Sequence, residues 1–223
     1  MGKRVRSFVI VATLLGMISL TTPTYASEER MTPDEERMFE KERVEKIKES
    51  EEYMKNWYDE EKSNSSTNEI EAQAKMKKRQ GNILVTLQGG SSLSKITGHA
   101  GMYANHKKKI RTIESFPKTK TTKDGVRIYT KTWTKRYTNF KALYVKGQSK
   151  NKHTKAGSYA KKQIGKKYNW KFTNKTRTDK FYCSQLVWRA WKSQGKDLDH
   201  DGGPSVWPVD ILKSKHTKTY FTK

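Results

Sequence analysis

The chain has 223 residues, with 47 Lys and Arg against 23 Asp and Glu, a formal charge of +24 and a mean hydropathy of −1.00. That composition excludes a multi-span membrane protein. Only 33% of residues are hydrophobic, but 6 Trp, 11 Tyr and 7 Phe each bury a large area, so a modest core is expected along part of the length.

At the N-terminus, Lys3, Arg4 and Arg6 precede an apolar run from Phe8 to Leu20, followed by Thr24-Tyr25-Ala26. Basic, apolar and small-residue parts in that order make a secretory signal, with cleavage expected after Ala26. The apolar run of 13 residues falls short of the roughly 20 that cross a bilayer, which disfavours an uncleaved anchor. Residues 1–26 are set apart as signal, and the mature protein is expected outside the cytoplasm, secreted or associated with the cell wall.

Beyond the signal, the charge divides the chain near residue 80. Residues 27–79 carry 16 acids and 12 bases, whereas residues 80–223 carry 7 acids and 32 bases. The first part reads as a charged helical extension and linker. Thr32-Pro33-Asp34-Glu35 is a capping box with proline at the first helical position, so a helix should start there and run to about residue 62. Its apolar positions (Met38, Phe39, Val44, Ile47, Met54, Trp57, Tyr58) are too sparse for sustained heptads, which predicts a solvated helix touching the other domain at a few points. Lys62 to Asn68 is a linker by composition, and a second short helical piece is expected at about 69–79.

From Gly81 the pattern changes to short β-type runs: Ile83 to Leu87, His99 to Tyr103, Ile110 to Ser115, Val126 to Tyr129 and Phe140 to Val145. Two helical stretches follow, His153 to Ile164 and Ser184 to Gln194, then a Gly/Asp loop at 195–203. Strands in one block with helices segregated from them define an α+β domain over 80–223.

Cys183 is the single cysteine, so an exported chain has no intramolecular disulfide to close with it. Leu186, Val187, Ala190 and Trp191 recur at helical spacing just downstream, which places the thiol at a helix start, where unpaired amides and the helix dipole favour the thiolate. The alternative is a small buried hydrophobe. A thiolate nucleophile needs a base, and His99 is the histidine inside a β-type run. The run holding His99 and the next one flank the polar turn Asn105-His106-Lys107-Lys108. A hairpin axis between 106 and 107 sets His99 opposite Glu114, within reach of a carboxylate that orients the imidazole. A one-residue slip would separate them onto opposite faces.

Gly81-Asn82-Ile83-Leu84-Val85-Thr86, Gly98-His99-Ala100-Gly101-Met102-Tyr103, Ile113-Glu114 and Phe181-Tyr182-Cys183-Ser184-Gln185-Leu186-Val187-Trp188, in that order, resemble the circularly permuted papain-like cysteine hydrolases of the YiiX/YebB group. These are relatives of NlpC-type wall peptidases and of lecithin retinol acyltransferase. The resemblance covers about residues 80–212 and implies a circularly permuted papain-like fold, an antiparallel sheet packed against helices, here with an N-terminal charged helical extension. It implies Cys183 as nucleophile, His99 as general base, Glu114 as the orienting group and Tyr182 as a site-lining residue with an oxyanion contact. Asn82 departs from the aspartate usual after that glycine, at a position expected to shape the strand start and not the chemistry.

The resulting expectation is an exported thiol hydrolase that cleaves an amide or ester through a covalent acyl-enzyme, with cell-wall peptide as substrate and no cofactor. The alternatives are a lipid acyl hydrolase or acyltransferase of the same fold acting on a lipid-linked substrate, and a non-enzymatic module that binds wall polyanions. Asp197-Leu198-Asp199-His200-Asp201-Gly202 has the start of a calcium loop, but Pro208 stands at the twelfth position where a bidentate glutamate belongs, so Asp197, Asp199 and Asp201 make only a weak calcium candidate. The basic excess, including Lys131-Thr132-Trp133-Thr134-Lys135-Arg136-Tyr137, is read as electrostatic association with anionic wall polymers or a membrane surface. Export argues against nucleic acid.

Overall fold

The computed structural model describes residues 30–64, 76–88 and 96–223, so the expected signal at 1–26 lies outside the described residues. The first helix, α1 (Pro33–Asn64), opens on the expected capping box: Thr32 N donates to Glu35 Oε2 at 2.8 Å and Glu35 N to Thr32 Oγ1 at 3.3 Å. It runs into the segment read as linker. Residues 76–79 are irregular, not helical, and the rest of the piece expected at 69–79 lies outside the described residues.

Six strands, β1 (Ile83–Thr86), β2 (His99–His106), β3 (Lys109–Phe116), β4 (Gly125–Tyr129), β5 (Lys141–Val145) and β6 (Thr217–Thr222), form one antiparallel sheet in the order β4-β3-β2-β1-β5-β6. Among the described residues, four further helices are α2 (Trp133–Arg136), α3 (Lys150–Lys162), α4 (Cys183–Lys192) and α5 (Pro208–Lys213). The α+β expectation holds. The one-turn α2, the short α5 and the edge strand β6 are additions to it.

β1 is buried on both faces, because alternate residues point opposite ways. Ile83 and Val85 join the main core with Met102, Ala100 and the apolar stripe of α4 (Leu186, Val187, Ala190, Trp191). Leu84 faces a second cluster with Tyr103, Trp133, Phe140 and Ala142. α1 is attached more firmly than its composition suggests. Phe39 is fully buried, stacked on Phe172 at 4.8 Å and on Trp207 at 5.3 Å, and Trp57 is 2% exposed. Between them the same stripe buries Glu42, Lys46 and Ser50.

The β2–β3 hairpin corrects the expected register. Lys107 and Lys108 both have positive φ, 47° and 61°, so the turn has two residues in the geometry that matches strand twist, and His106 pairs with Lys109. Glu114 is therefore opposite Gly101, not His99. The shift is two residues, so His99 and Glu114 keep a common face.

Among the described residues, no helix is long and apolar enough to cross a membrane.

Candidate active site

Three elements converge at the start of β2. β2 supplies His99, β3 supplies Glu114, and α4 begins with Cys183, preceded by Tyr182 in extended conformation. The helix start is fixed by Gln185. Its Oε1 accepts from Tyr182 N at 3.1 Å, and its Nε2 donates to the carbonyls of Lys175, at 3.0 Å, and Arg177, at 3.2 Å. The chain before the cysteine is thereby tied to the loop that precedes it.

His99 Nε2 lies 2.9 Å from Glu114 Oε2. This leaves Nδ1 free of the carboxylate, and the His99 ring and the Cys183 thiol lie close enough for each to shift the other's titration. The pair is diagonal across the strands: Glu114 leans past Gly101 to reach the imidazole. Two further side chains hold the carboxylate. Trp133 Nε1 donates to Glu114 Oε1 at 3.0 Å, and Arg136 Nη2 donates to the same oxygen. The Arg136 guanidinium lies against the rings of Tyr129, at 4.9 Å, and Tyr137, at 5.2 Å. The imidazole itself stacks on Phe116, the residue in register opposite it, with ring centres 4.1 Å apart.

Burial works against charge on all three groups, and mutual contact outweighs it. For Glu114 burial raises the pKa, but His99 and then Arg136 bring it down to about 2. For His99 burial favours the neutral ring, but Cys183 and Glu114 raise its pKa to about 9. For Cys183 burial favours the thiol, yet His99 and the amides of Ala100 and Ser184 carry the pKa below its usual value. Each shift is toward the charged form of its group: Cys183 toward thiolate, His99 toward imidazolium and Glu114 toward carboxylate.

Trp133 and Arg136 were not singled out as site residues by the sequence. The available signal was their i,i+3 spacing, which places both on one side of a single turn. Tyr182 is a correction: its hydroxyl donates to Phe172 O at 3.3 Å and accepts from Val206 N at 3.0 Å, so it braces the core and has no hydrogen left for an oxyanion. The three loop aspartates do not converge either. Asp197 accepts from Trp188 Nε1 at 2.7 Å and pairs with Lys192. Asp199 and Asp201 cluster instead with Asp210. Lys175 Nζ lies 2.5 Å from Asp199 and Lys46 Nζ 2.8 Å from Asp201, and Lys46 also bonds Asp210, so ammonium groups serve these carboxylates as counter-ions.

A sheet with a buried Cys-His-Glu cluster, the histidine preceding the cysteine, defines the class of permuted papain-like proteins. A family model described as "Permuted papain-like amidase enzyme, YaeF/YiiX, C92 family" matches residues 75–200, more than half of the chain, and the chain belongs to that family. Cys183, His99, Glu114, Trp133 and Arg136 all fall inside the matched region, and α1 falls outside it. Among curated proteins the chain is similar to "Uncharacterized protein YycO" of Bacillus subtilis (strain 168), 32% identical over 129 residues, which cover 56% of this chain and 49% of that protein. The match thus spans about half the length of that relative. No solved structure matches the chain significantly. That family is described as one of permuted papain-like amidases.

Proposed function

We propose that the chain is an exported thiol amidase acting on a peptide amide of the cell wall, with Cys183 as nucleophile, His99 as acid and base, and Glu114 as the group that orients the imidazole. The observation that carries this reading is the buried chain of contacts from Cys183 through His99 to Glu114, with the carboxylate held in turn by Trp133 and Arg136. A purely structural cysteine has no need of a buried imidazolium beside it.

The Cys183 thiolate attacks the carbonyl carbon, and the carbonyl electrons move to oxygen. The amide of Cys183, in the first turn of α4 where N–H groups lack intrahelical partners, supports that oxyanion. The intermediate collapses, the C–N bond breaks, and the leaving amine takes the proton of the His99 imidazolium. A thioester remains. Neutral His99 then takes a proton from water as the oxygen attacks, the C–S bond breaks, and acid product and thiolate are released. Export rests on the basic, apolar and small-residue order of residues 1–26.

The test is the rate of iodoacetamide alkylation of Cys183 against pH in the wild type and in His99→Ala, paired with release of amine from wall muropeptides by the wild type and Cys183→Ala. Fast alkylation at pH 7 that drops at least about tenfold in His99→Ala, with turnover abolished in Cys183→Ala, is expected. An ordinary thiol titration indifferent to His99 rejects the thiolate-imidazolium reading. Turnover of an acyl-lipid ester but of no peptide amide moves the substrate to lipid.

A further inference from the structure

A groove of about 960 Å³ opens away from Cys183, where the turn before β1, the end of β5, the start of α3 and β6 meet. Lys77, Arg79, Asn82, Tyr144, Lys150 and Tyr220 are among its lining residues. β1 separates it from the Cys-His pair, since Asn82 precedes one end of that strand and Thr86, at the other end, pairs with His99. Four residues at about 3.3 Å each put the two places on the order of 13 Å apart. α4 spans the same interval: Cys183 opens it, and Trp191 near its end donates Nε1 to Gly81 O at 3.2 Å behind the groove.

The charges facing this groove are one-sided. Residues 80–223 contain only Glu114, Asp124, Asp179, Asp197, Asp199, Asp201 and Asp210 as acids. Glu114 belongs to the active site. Asp124 pairs with Lys167, Asp179 with Arg177, Asp197 with Lys192, Asp199 with Lys175, and Asp201 and Asp210 share Lys46. Among the described residues no acid lines the groove, and Lys77, Arg79 and Lys150 have no carboxylate partner. Asn82 contributes an amide where a carboxylate would have neutralised them. α3 adds to the imbalance, because its first turn carries Lys150 and Lys152 and no acid, the reverse of what the helix dipole favours. Such a cluster is mutually repulsive until an anion enters it.

The groove is also pre-shaped. Gly81, at φ 85°, brings the turn so close to α3 that a β-carbon there would lie 2.4 Å from His153 O. Gln80 Nε2 reinforces that approach by donating to Thr154 O at 3.0 Å and Ser158 Oγ at 3.2 Å. Arg79 and Lys150 are thus held on opposite sides of one fixed junction.

We propose that this groove binds a phosphodiester-linked polyol chain and holds the enzyme on that polymer. Arginine and lysine meet the phosphates, and the amide oxygens of Gln80 and Gln148, whose nitrogens already donate within the chain, accept from polyol hydroxyls. The shape favours a single chain over a bilayer: the groove is concave, and the exposed large hydrophobics Met38, Val44, Tyr58 and Trp170 all lie elsewhere. Bases find little to stack on, because Tyr144 and Tyr220 pack on each other at 6.4 Å and the Tyr220 hydroxyl donates to Lys77 O at 3.0 Å. The proposal is independent of the identity of the cleaved bond.

The test measures anisotropy of a labelled glycerol-phosphate oligomer against the full chain at low and moderate salt. Lys77→Gln/Arg79→Gln/Lys150→Gln is compared with Lys118→Gln/Lys120→Gln/Lys123→Gln, which removes the same charge from the exposed connection between β3 and β4. The groove variant is expected to bind at least about tenfold more weakly with a shallower salt dependence, while the control variant stays within about twofold of wild type. Cys183 alkylation unchanged in both shows an intact fold. Equal losses in the two variants, or no loss in the groove variant, overturn the proposal. So does tighter binding of a thymidine oligonucleotide of equal charge, or groove-dependent capture by phosphatidylglycerol vesicles without binding of the soluble polymer.

Discussion

Gly101 lies directly across from Glu114, and a β-carbon on it would sit 2.6 Å from Glu114 Cγ. The missing side chain is the space through which the carboxylate leans diagonally to His99. Gly101→Ala therefore displaces Glu114 and not merely the backbone. The expected result is a fall in the His99 pKa from about 9 toward the ordinary value of about 6.5, with turnover reduced at least about tenfold. Proton titration of the His99 ring by NMR checks it, and an unmoved pKa would show that the carboxylate reaches the ring by another route.

Arg136 acts through Glu114. Its guanidinium bonds the Glu114 oxygen that does not face His99, and so helps keep the carboxylate ionised and in place. Arg136→Gln leaves Glu114 ionised but less firmly placed and should reduce turnover about tenfold, as a positioning residue does. Arg136→Lys should recover only part of this, because an ammonium cannot lie flat against Tyr129 and Tyr137. Trp133→Phe removes one hydrogen bond of about 1 kcal/mol and should cost only a few-fold. Equal turnover in all three would place the origin of the ion pair in Cys183 and His99 alone.

The pH profile has a definite sign. Below the depressed pKa of Cys183 the nucleophile is protonated, and above about pH 9 His99 loses the proton that the leaving amine needs. Turnover should thus rise as pH climbs through the depressed pKa of Cys183 and fall near pH 9. Glu114→Gln should bring the alkaline limb to lower pH, since the raised pKa of His99 depends in part on that carboxylate. Measuring kcat/KM across pH 5 to 10 in both proteins decides this; coincident alkaline limbs would count against it.

The strands were legible because their β-branched and aromatic residues form runs bounded by turns, and the cysteine and histidine were legible because their flanks fix a helix start and a strand. β6 escaped because it is a half-exposed edge strand, Thr217-Lys218-Thr219-Tyr220-Phe221-Thr222, within a charged tail. The grip of α1 escaped because half its buried stripe is polar: Glu42 accepts from Ser205 N at 3.3 Å, Lys46 meets Asp201 and Asp210, and Ser50 donates to Lys46 O at 2.7 Å. Hydrophobic periodicity does not register such a stripe. Arg136 escaped for a related reason, because a carboxylate's second partner is set by where a loop is placed in space.

Phe39 tests how far the rest of the fold depends on α1. It is fully buried between Phe172 and Trp207, and Phe172 also contacts Tyr182 next to the cysteine. Phe39→Ala should cost about 3–5 kcal/mol of stability, measured by urea unfolding, and slow Cys183 alkylation through the loosened helix start. A loss below about 1 kcal/mol would mean that α1 is dispensable to the packing.

The contact of α1 with Asp210 carries its own pH signature. Burial raises the Asp210 pKa to about 7 despite Lys46 beside it, against about 3.9 in an unfolded chain. Between those values the folded state holds a proton that the unfolded state has lost, so stability should decline as pH rises from about 4 to 7 and level off above. Lys46 acts at the other end of the scale: its raised pKa gives stability that is present below about 10.4 and lost only as pH climbs past it. Glu42, also raised by burial, adds a slope of the same sign as Asp210. Asp210→Asn keeps an acceptor for Trp207 N, which now donates to Asp210 Oδ2 at 2.7 Å, and leaves Asp201 and Glu49 beside Lys46. The variant should therefore lose less melting temperature between pH 5 and 8 than wild type does. A fall as steep as that of wild type would assign the titration to a group other than Asp210.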